Sequence, residues 1–153
     1  MTAAKGMQML GEMTPEEIDE LLHGEAVGRI GCHAFGKSYV VPITYAYDGV
    51  AVYGHSREGL KLRMLRSNPS VCFEVDHMSN LRDWRSVIAQ GTFSELEPQS
   101  ADVAMQLLRR RLAPLVASAT SQPDGLHHTS GMPWSVFRIV LGERTGRFER
   151  PDA

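Results

Sequence analysis

Residues 41–75, VPITYAYDGVAVYGHSREGLKLRMLRSNPSVCFEV, decide the fold. They read as strand, tight turn, strand, polar loop, short basic helix and buried strand. Asp48-Gly49 is a hairpin signal that joins a β-rich stretch at 38–47 to a strand at 50–54. Between Glu58 and Ser67, Leu60, Met64 and Leu65 predict a short helix, and Asn68-Pro69 ends it. Val71, Phe73 and Val75 then alternate with Cys72, Glu74 and Asp76, the pattern of a strand with one buried face.

Upstream, residues 1–12 are expected to form a loose arm. Thr14-Pro15-Glu16-Glu17 starts a helix, because Thr14 can cap, Pro15 suits the first turn and Glu17 completes a capping box. Ile18, Leu21 and Leu22 share one face, and Gly24 is placed to stop the helix. A β-rich segment at 25–33 and a turn at Phe35-Gly36-Lys37 lead into the quoted stretch. Downstream, 77–84 read as a polar connection and 85–95 as a strand. Residues 98–112 read as the longest helix, with Val103, Leu107 and Leu108 as its core stripe. A long loop at 113–133, expected to be mobile or ligand-dependent, precedes strands at 134–141 and 145–149. The fold expected is mainly β with peripheral helices: a six-stranded antiparallel barrel in a single domain over 14–150, after an arm at 1–13.

The 153 residues are 42% apolar and 22% charged, which is ordinary globular composition. A net charge of -2 gives no bulk attraction to nucleic acid or to an anionic membrane. No apolar run approaches the ~20 residues of a membrane span, and MTAAKGMQML lacks the features of a signal peptide. Cys32 and Cys72 fall in predicted strands without metal-ligand spacing, so reduced thiols are expected, in keeping with a cytoplasmic protein. Arg109-Arg110-Arg111 reads as a solvated face late in a helix. His127-His128 reads as a solvated loop pair, with no third ligand at useful spacing, so no metal site is expected.

The chemistry concentrates just after the 50–54 strand. His55, Ser56, Arg57 and Lys61 gather imidazole, hydroxyl and cationic donors, and the N–H groups opening the 58–67 helix add partial positive charge. That set suits a phosphate-bearing ligand. The competing reading makes Arg57, Lys61, Arg63 and Arg66 a solvated helix face. His55, with an unperturbed pKa near ~6.5, has two readings of its own: a phosphate contact, which would raise its pKa, or a proton donor toward a substrate. Trp84 and Trp134 each open a predicted strand, where an aromatic serves as ligand stack, interface anchor or core.

The chain resembles the flavin-binding split-barrel superfamily that includes pyridoxamine 5'-phosphate oxidase and the nitroimidazole-resistance (Nim) proteins. The resemblance is carried by Val41-Pro42-Ile43-Thr44, by Tyr53-Gly54-His55-Ser56 with Gly59 and Lys61, and by Asn68-Pro69-Ser70-Val71-Cys72-Phe73. Leu21-Leu22 and Val27-Gly28-Arg29-Ile30-Gly31 fit upstream; Trp84-Arg85-Ser86-Val87, Gly91 and Val136-Phe137-Arg138-Ile139 fit downstream. It spans roughly Thr14 to Arg147.

The resemblance implies a six-stranded split-barrel homodimer with FMN at two inter-subunit sites. His55, Ser56 and Lys61 would hold the phosphate, and Pro42, Ile43 and Thr44 would line the ring. Trp84, Arg85 and Ser86 would approach from the other subunit. It also implies an FMN-dependent oxidoreductase acting on a small-molecule substrate, or a flavin carrier or sensor. The same barrel binding a deazaflavin coenzyme or haem is a third reading. Two departures mark this chain. The oxidases carry an Arg where it reads Tyr39-Val40-Val41-Pro42. They also have Thr in place of His55, and Arg-Lys in place of Leu60-Lys61. A strict pyridoxamine phosphate oxidase is therefore not expected, and the His-Ser loop resembles the Nim branch.

Overall fold

The computed structural model describes residues 8–116 and 134–152. Strands β1 (Gln8–Glu12), β2 (Val27–Ala34), β3 (Lys37–Thr44), β4 (Ala46–Tyr47), β5 (Ala51–Arg57), β6 (Ser70–Asn80), β7 (Asp83–Glu95) and β8 (Trp134–Pro151) form one antiparallel sheet. Helices α1 (Pro15–Gly24), α2 (Leu60–Ser67) and α3 (Pro98–Leu112) decorate it, and a 3-10 turn at Ala113–Leu115 follows α3. The strand order is β3-β2-β6-β7-β8-β5-β4, with β1 added along β8. The end strands β3 and β4 are separated in sequence only by Tyr45, yet they are not hydrogen-bonded neighbours. The sheet therefore curls without closing, which is a split barrel.

Local chemistry sets several boundaries. Thr14 Oγ1 accepts from Glu17 N and Glu17 Oε1 accepts from Thr14 N, both at 3.2 Å, which completes the capping box. Asp48 Oδ1 accepts from Val50 N at 2.8 Å and Ala51 N at 2.7 Å, tightening the β4–β5 turn. Phe35 (φ 55°) and Gly36 (φ 72°) make the β2–β3 turn with two positive φ values, the conformation a two-residue hairpin needs.

The core combines Ile18, Leu21 and Leu22 of α1, Leu62, Met64 and Leu65 of α2, and Ile30, Phe73, Val87, Phe137 and Ile139 of the strands. Each fully buried side chain of this kind contributes about 1.5–3 kcal/mol. Tyr45 locks α1 against the open seam by donating its hydroxyl to the Leu22 carbonyl at 2.6 Å.

Five expectations are corrected. Residues 8–12 are not loose: β1 pairs with β8 from Gln8↔Pro151 to Glu12↔Arg147. With β1 and the two-residue β4, the strands number eight rather than six. The stretch at 77–84 is largely strand, since β6 and β7 run on to a tight turn at Leu81-Arg82. The separate strands at 134–141 and 145–149 are one: Gly142 and Glu143 lie opposite Gln90 as a bulge that bends β8 without ending it. Two apolar positions also face the other way. Leu60 and Val103 are exposed, whereas Leu62 and the stripe Ala104, Met105, Leu108 and Leu112 are buried.

Candidate functional site

β5 ends at Arg57 and α2 begins at Leu60, so two residues, Glu58 and Gly59, carry the chain from sheet to helix. Gly59 occupies the N-cap with extended backbone (φ 172°), makes no side-chain cap bond, and has open space where a Cβ would stand. The first turn of α2 holds no acidic residue. Its N–H groups are the positive end of the helix dipole and face the loop without a side-chain acceptor at the cap.

Lys61 sits in that first turn, half-buried, on a helix packed against β2 and β7. Burial pushes its pKa below the ordinary lysine value, opposed by the nearby Cys32 thiol of β2. Among the described residues Lys61 makes no ion pair with a carboxylate. The result is a partly desolvated cation beside an open helix terminus. Cys32 is buried on the inner face and Cys72 stands half-buried on the outer face, where it pairs with Gly31, so the two thiols are on opposite sides of the sheet.

Ser56 donates its hydroxyl to the Arg57 carbonyl at 3.0 Å, which keeps it at the loop. His55 stacks on Trp134, with ring centroids 5.1 Å apart and planes 23° from parallel. The Arg57 guanidinium lies 4.9 Å from the centroid of the same indole, a cation–π contact. Trp134 thus joins His55 and Arg57 across the β5–β8 pairing. Its buried Nε1 has no hydrogen-bond partner among the described residues.

Pro42, Ile43 and Thr44 close β3 opposite Arg29, Gly28 and Val27. Ile43 is buried, and its Cδ1 lies 3.5 Å from where a Cβ on Gly54 would stand. It therefore abuts the residue preceding His55. Pro42 is exposed on an edge strand, where a proline costs no ladder bond. The backbone of β3 turned away from β2 is unpaired in the sheet.

Trp84, Arg85 and Ser86 lie elsewhere in the chain. They pair with Met78, His77 and Asp76 on one side and with Glu149, Phe148 and Arg147 on the other. Trp84 Nε1 donates to Glu149 Oε2 at 3.0 Å. His55 to Arg57, in contrast, pair with residues 134–136 at the opposite end of β8. Within one chain the Ile43 side chain thus meets β5 at Gly54, and the Trp84–Ser86 segment lies at the other end of β8 from His55 to Arg57.

Beside that segment, Arg29 Nη1 bridges Glu74 (3.1 Å) and Asp76 (3.0 Å) on the outer face. One guanidinium serves two carboxylates there. Desolvation first, then Asp76, pushes the Glu74 pKa up to about 7.

Sequence reasoning missed the network around Arg66. Its Nη1 donates to Glu58 Oε2 (2.8 Å), its Nη2 to Glu58 Oε1 and Glu95 Oε1 (2.5 Å each), and its Nε to Glu95 Oε1 (3.0 Å). Ser135 Oγ adds a bond to Glu95 Oε1 at 2.8 Å. No local spacing signals it, because Glu58 and Glu95 lie 8 and 29 residues from Arg66. His127-His128 and most of the 113–133 loop lie outside the described residues. Among the described residues no three His, Cys, Asp or Glu side chains cluster as a metal site, and no helix is long and apolar enough to cross a membrane.

Residues 14–148 match the family model described as pyridoxamine 5'-phosphate oxidase. An uncharacterized protein of Rhizobium meliloti (strain 1021) is 34% identical over 84 residues, 55% of this chain and 56% of that protein. The match thus spans about half the length of that relative. Among solved structures, an FAD-binding protein from Mesorhizobium loti superposes with a TM-score of 0.72 at 28% identity, over 94% of this chain and 98% of the other. A candidate 5-nitroimidazole antibiotic resistance protein from Bacteroides thetaiotaomicron gives a TM-score of 0.70 at 18% identity, covering 94% and 89%. That second likeness is one of fold.

Proposed function

Because this chain belongs to the pyridoxamine 5'-phosphate oxidase family, we propose that it is a cytoplasmic flavin-binding oxidoreductase that holds FMN between two copies of itself and reduces a small acceptor. The carrying observation is the donor set at the start of α2. Lys61 is half-buried with no carboxylate partner among the described residues, beside an uncapped helix terminus. Ser56 adds a hydroxyl at the same loop. Cation, hydroxyl and helix N–H groups with no acidic residue in the first turn fit a phosphate ester.

In this reading Lys61, Ser56 and the α2 N–H groups hold the phosphate, and His55, braced by Trp134, borders it. Pro42, Ile43 and Thr44 flank the ring, with the unpaired edge of β3 offering backbone groups to its polar rim. Bound FMN supplies the hydride or electron transfer, and the protein supplies orientation and electrostatics. The described residues hold no side chain whose geometry demands a general acid or base.

The separation of Trp84–Ser86 from the loop within one chain supports a shared site, because a two-fold partner can bring its own segment to the loop. Mixing Lys61→Ala and Trp84→Ala proteins after subunit exchange tests it. Heterodimers then carry one site with both lesions and one with neither. FMN binding should return at about a quarter of all sites in a statistical mixture. No recovery after demonstrated exchange contradicts the shared site. A second reading, FAD in place of FMN, is favoured by the 28%-identical Mesorhizobium loti protein. Mass analysis of flavin extracted from the purified protein separates the two. Reoxidation of the reduced protein by a nitroaromatic separates a reductase from a carrier or sensor, which would stay reduced.

A further inference from the structure

We infer that Arg66 is a positioning residue for the flavin phosphate: it holds the β5–α2 loop and masks the Glu58 and Glu95 carboxylates. The inference rests on the proposed function and adds a residue that no family motif quoted above contains.

The geometry begins with Glu58, which immediately precedes the N-cap Gly59 and lies three residues before Lys61. A bare carboxylate there would oppose an incoming phosphate. It would also attract Lys61 and compete for the site's cation. Arg66, in the last turn of α2, engages Glu58 with two guanidinium nitrogens, at 2.8 and 2.5 Å. The two-pronged contact fixes direction as well as distance. The same guanidinium reaches Glu95 at the end of β7 through Nε and Nη2. Ser135, beside Trp134, donates to that Glu95 oxygen. Arg66 thus ties the loop ahead of α2 to the last turn of that helix and to β7, and Ser135 links β8, which carries Trp134, to the same Glu95 oxygen.

Charge accounting points the same way. Glu58 and Glu95 bring two negative charges to the neighbourhood and Arg66 returns one positive. Its bonds hold both carboxyls below their ordinary pKa values, so both stay ionised at neutral pH. The network is about two-fifths exposed, at 39% for Arg66 and 40% for Glu58, so its contribution to overall stability is small. Its effect falls on a charged ligand instead. Loss of Arg66 leaves two unneutralised carboxylates at the rim and frees the loop.

The experiment is a variant series read with two probes that differ by one phosphate, FMN and riboflavin. Arg66→Ala should weaken FMN about tenfold and riboflavin less than about threefold, since only FMN meets the unmasked charge. Arg66→Lys, which keeps the charge and loses the fork, should fall between. Adding Glu58→Gln and Glu95→Gln to Arg66→Ala should restore FMN to within about threefold of wild type. Thermal melts accompany each variant, and the triple variant, free of unpaired charge, keeps the test alive if Arg66→Ala folds poorly. Equal losses for both flavins, or no restoration by the glutamine pair, overturn the assignment of Arg66. Wild-type protein that does not prefer FMN to riboflavin overturns the phosphate site itself, and the Arg66 inference with it.

Discussion

Replacing Lys61 by methionine keeps most of the aliphatic bulk of the side chain and removes its charge. Lys61 is half-buried in the first turn of α2, burial holds its pKa below the usual value, and no carboxylate pairs with it among the described residues. A charge-assisted bond from such a cation to a phosphate contributes about 1.5–3 kcal/mol. Its loss therefore weakens FMN by about ten- to 150-fold, while riboflavin, lacking the phosphate, changes little. The ligand-free protein should respond in the opposite sense. A lysine whose folded pKa lies below its unfolded value carries a desolvation penalty that is fully present at neutral pH. The penalty lifts as pH rises from the folded pKa toward the ordinary 10.5. Lys61→Met removes it, so its melting temperature without ligand should equal or exceed that of wild type. Fluorescence titration with both flavins and a ligand-free thermal melt read the two effects. A variant that melts several degrees lower, or loses both flavins equally, would refute the reasoning and make Lys61 a structural residue.

Two further outcomes follow from packing and charge. Glu74, with a folded pKa of about 7 against an ordinary 4.5, binds a proton more tightly folded than unfolded. Stability should therefore fall as pH rises from about 4.5 to 7, and Glu74→Gln should flatten that slope, raising the melting temperature at pH 8 more than at pH 5; a slope unchanged in the variant removes Glu74 from the account. At Gly28, an added Cβ would lie 2.4 Å from Phe73 Cζ, on a ring that is fully buried and has no room to swing. Gly28→Ala should cost about 1–3 kcal/mol in urea unfolding with little change in m-value, and an unchanged midpoint would mean the barrel yields there.

Much of the fold was legible because its signals are local. The Thr14 capping box, the Asp48-Gly49 turn, Pro98 at the start of α3 and Asn68 after α2 each act within a few residues of themselves. What escaped depends on distant partners. β1 is a strand only because the far end of β8 supplies its hydrogen bonds. Gly142-Glu143 looks like a break until Gln90 stands opposite it as a bulge. In the eight-residue α2, two turns are too few to fix the phase of an apolar stripe, so Leu60 and Leu62 exchange roles.

The site divides the same way. Ser56, Gly59 and Lys61 fall within six residues, at the end of β5, the N-cap and the first turn of α2, and so read together in the sequence. The stacking of His55 on Trp134 crosses from β5 to β8, and the Arg66 bonds reach from α2 to β7. Trp84 to Ser86, expected to approach from the other subunit, lie at the far end of β8 from the loop within one chain.

The central claim is that this barrel binds flavin at the α2 terminus, and an absorbance spectrum of the purified protein tests it most directly, recorded from about 300 to 600 nm before and after adding FMN. The account predicts bands near ~375 and ~450 nm that remain with the protein through gel filtration, and flavin fluorescence quenched on binding. A protein that elutes without those bands after incubation with excess FMN would contradict it. A single band near ~420 nm or a sharp Soret band would then reassign the barrel to a deazaflavin coenzyme or to haem.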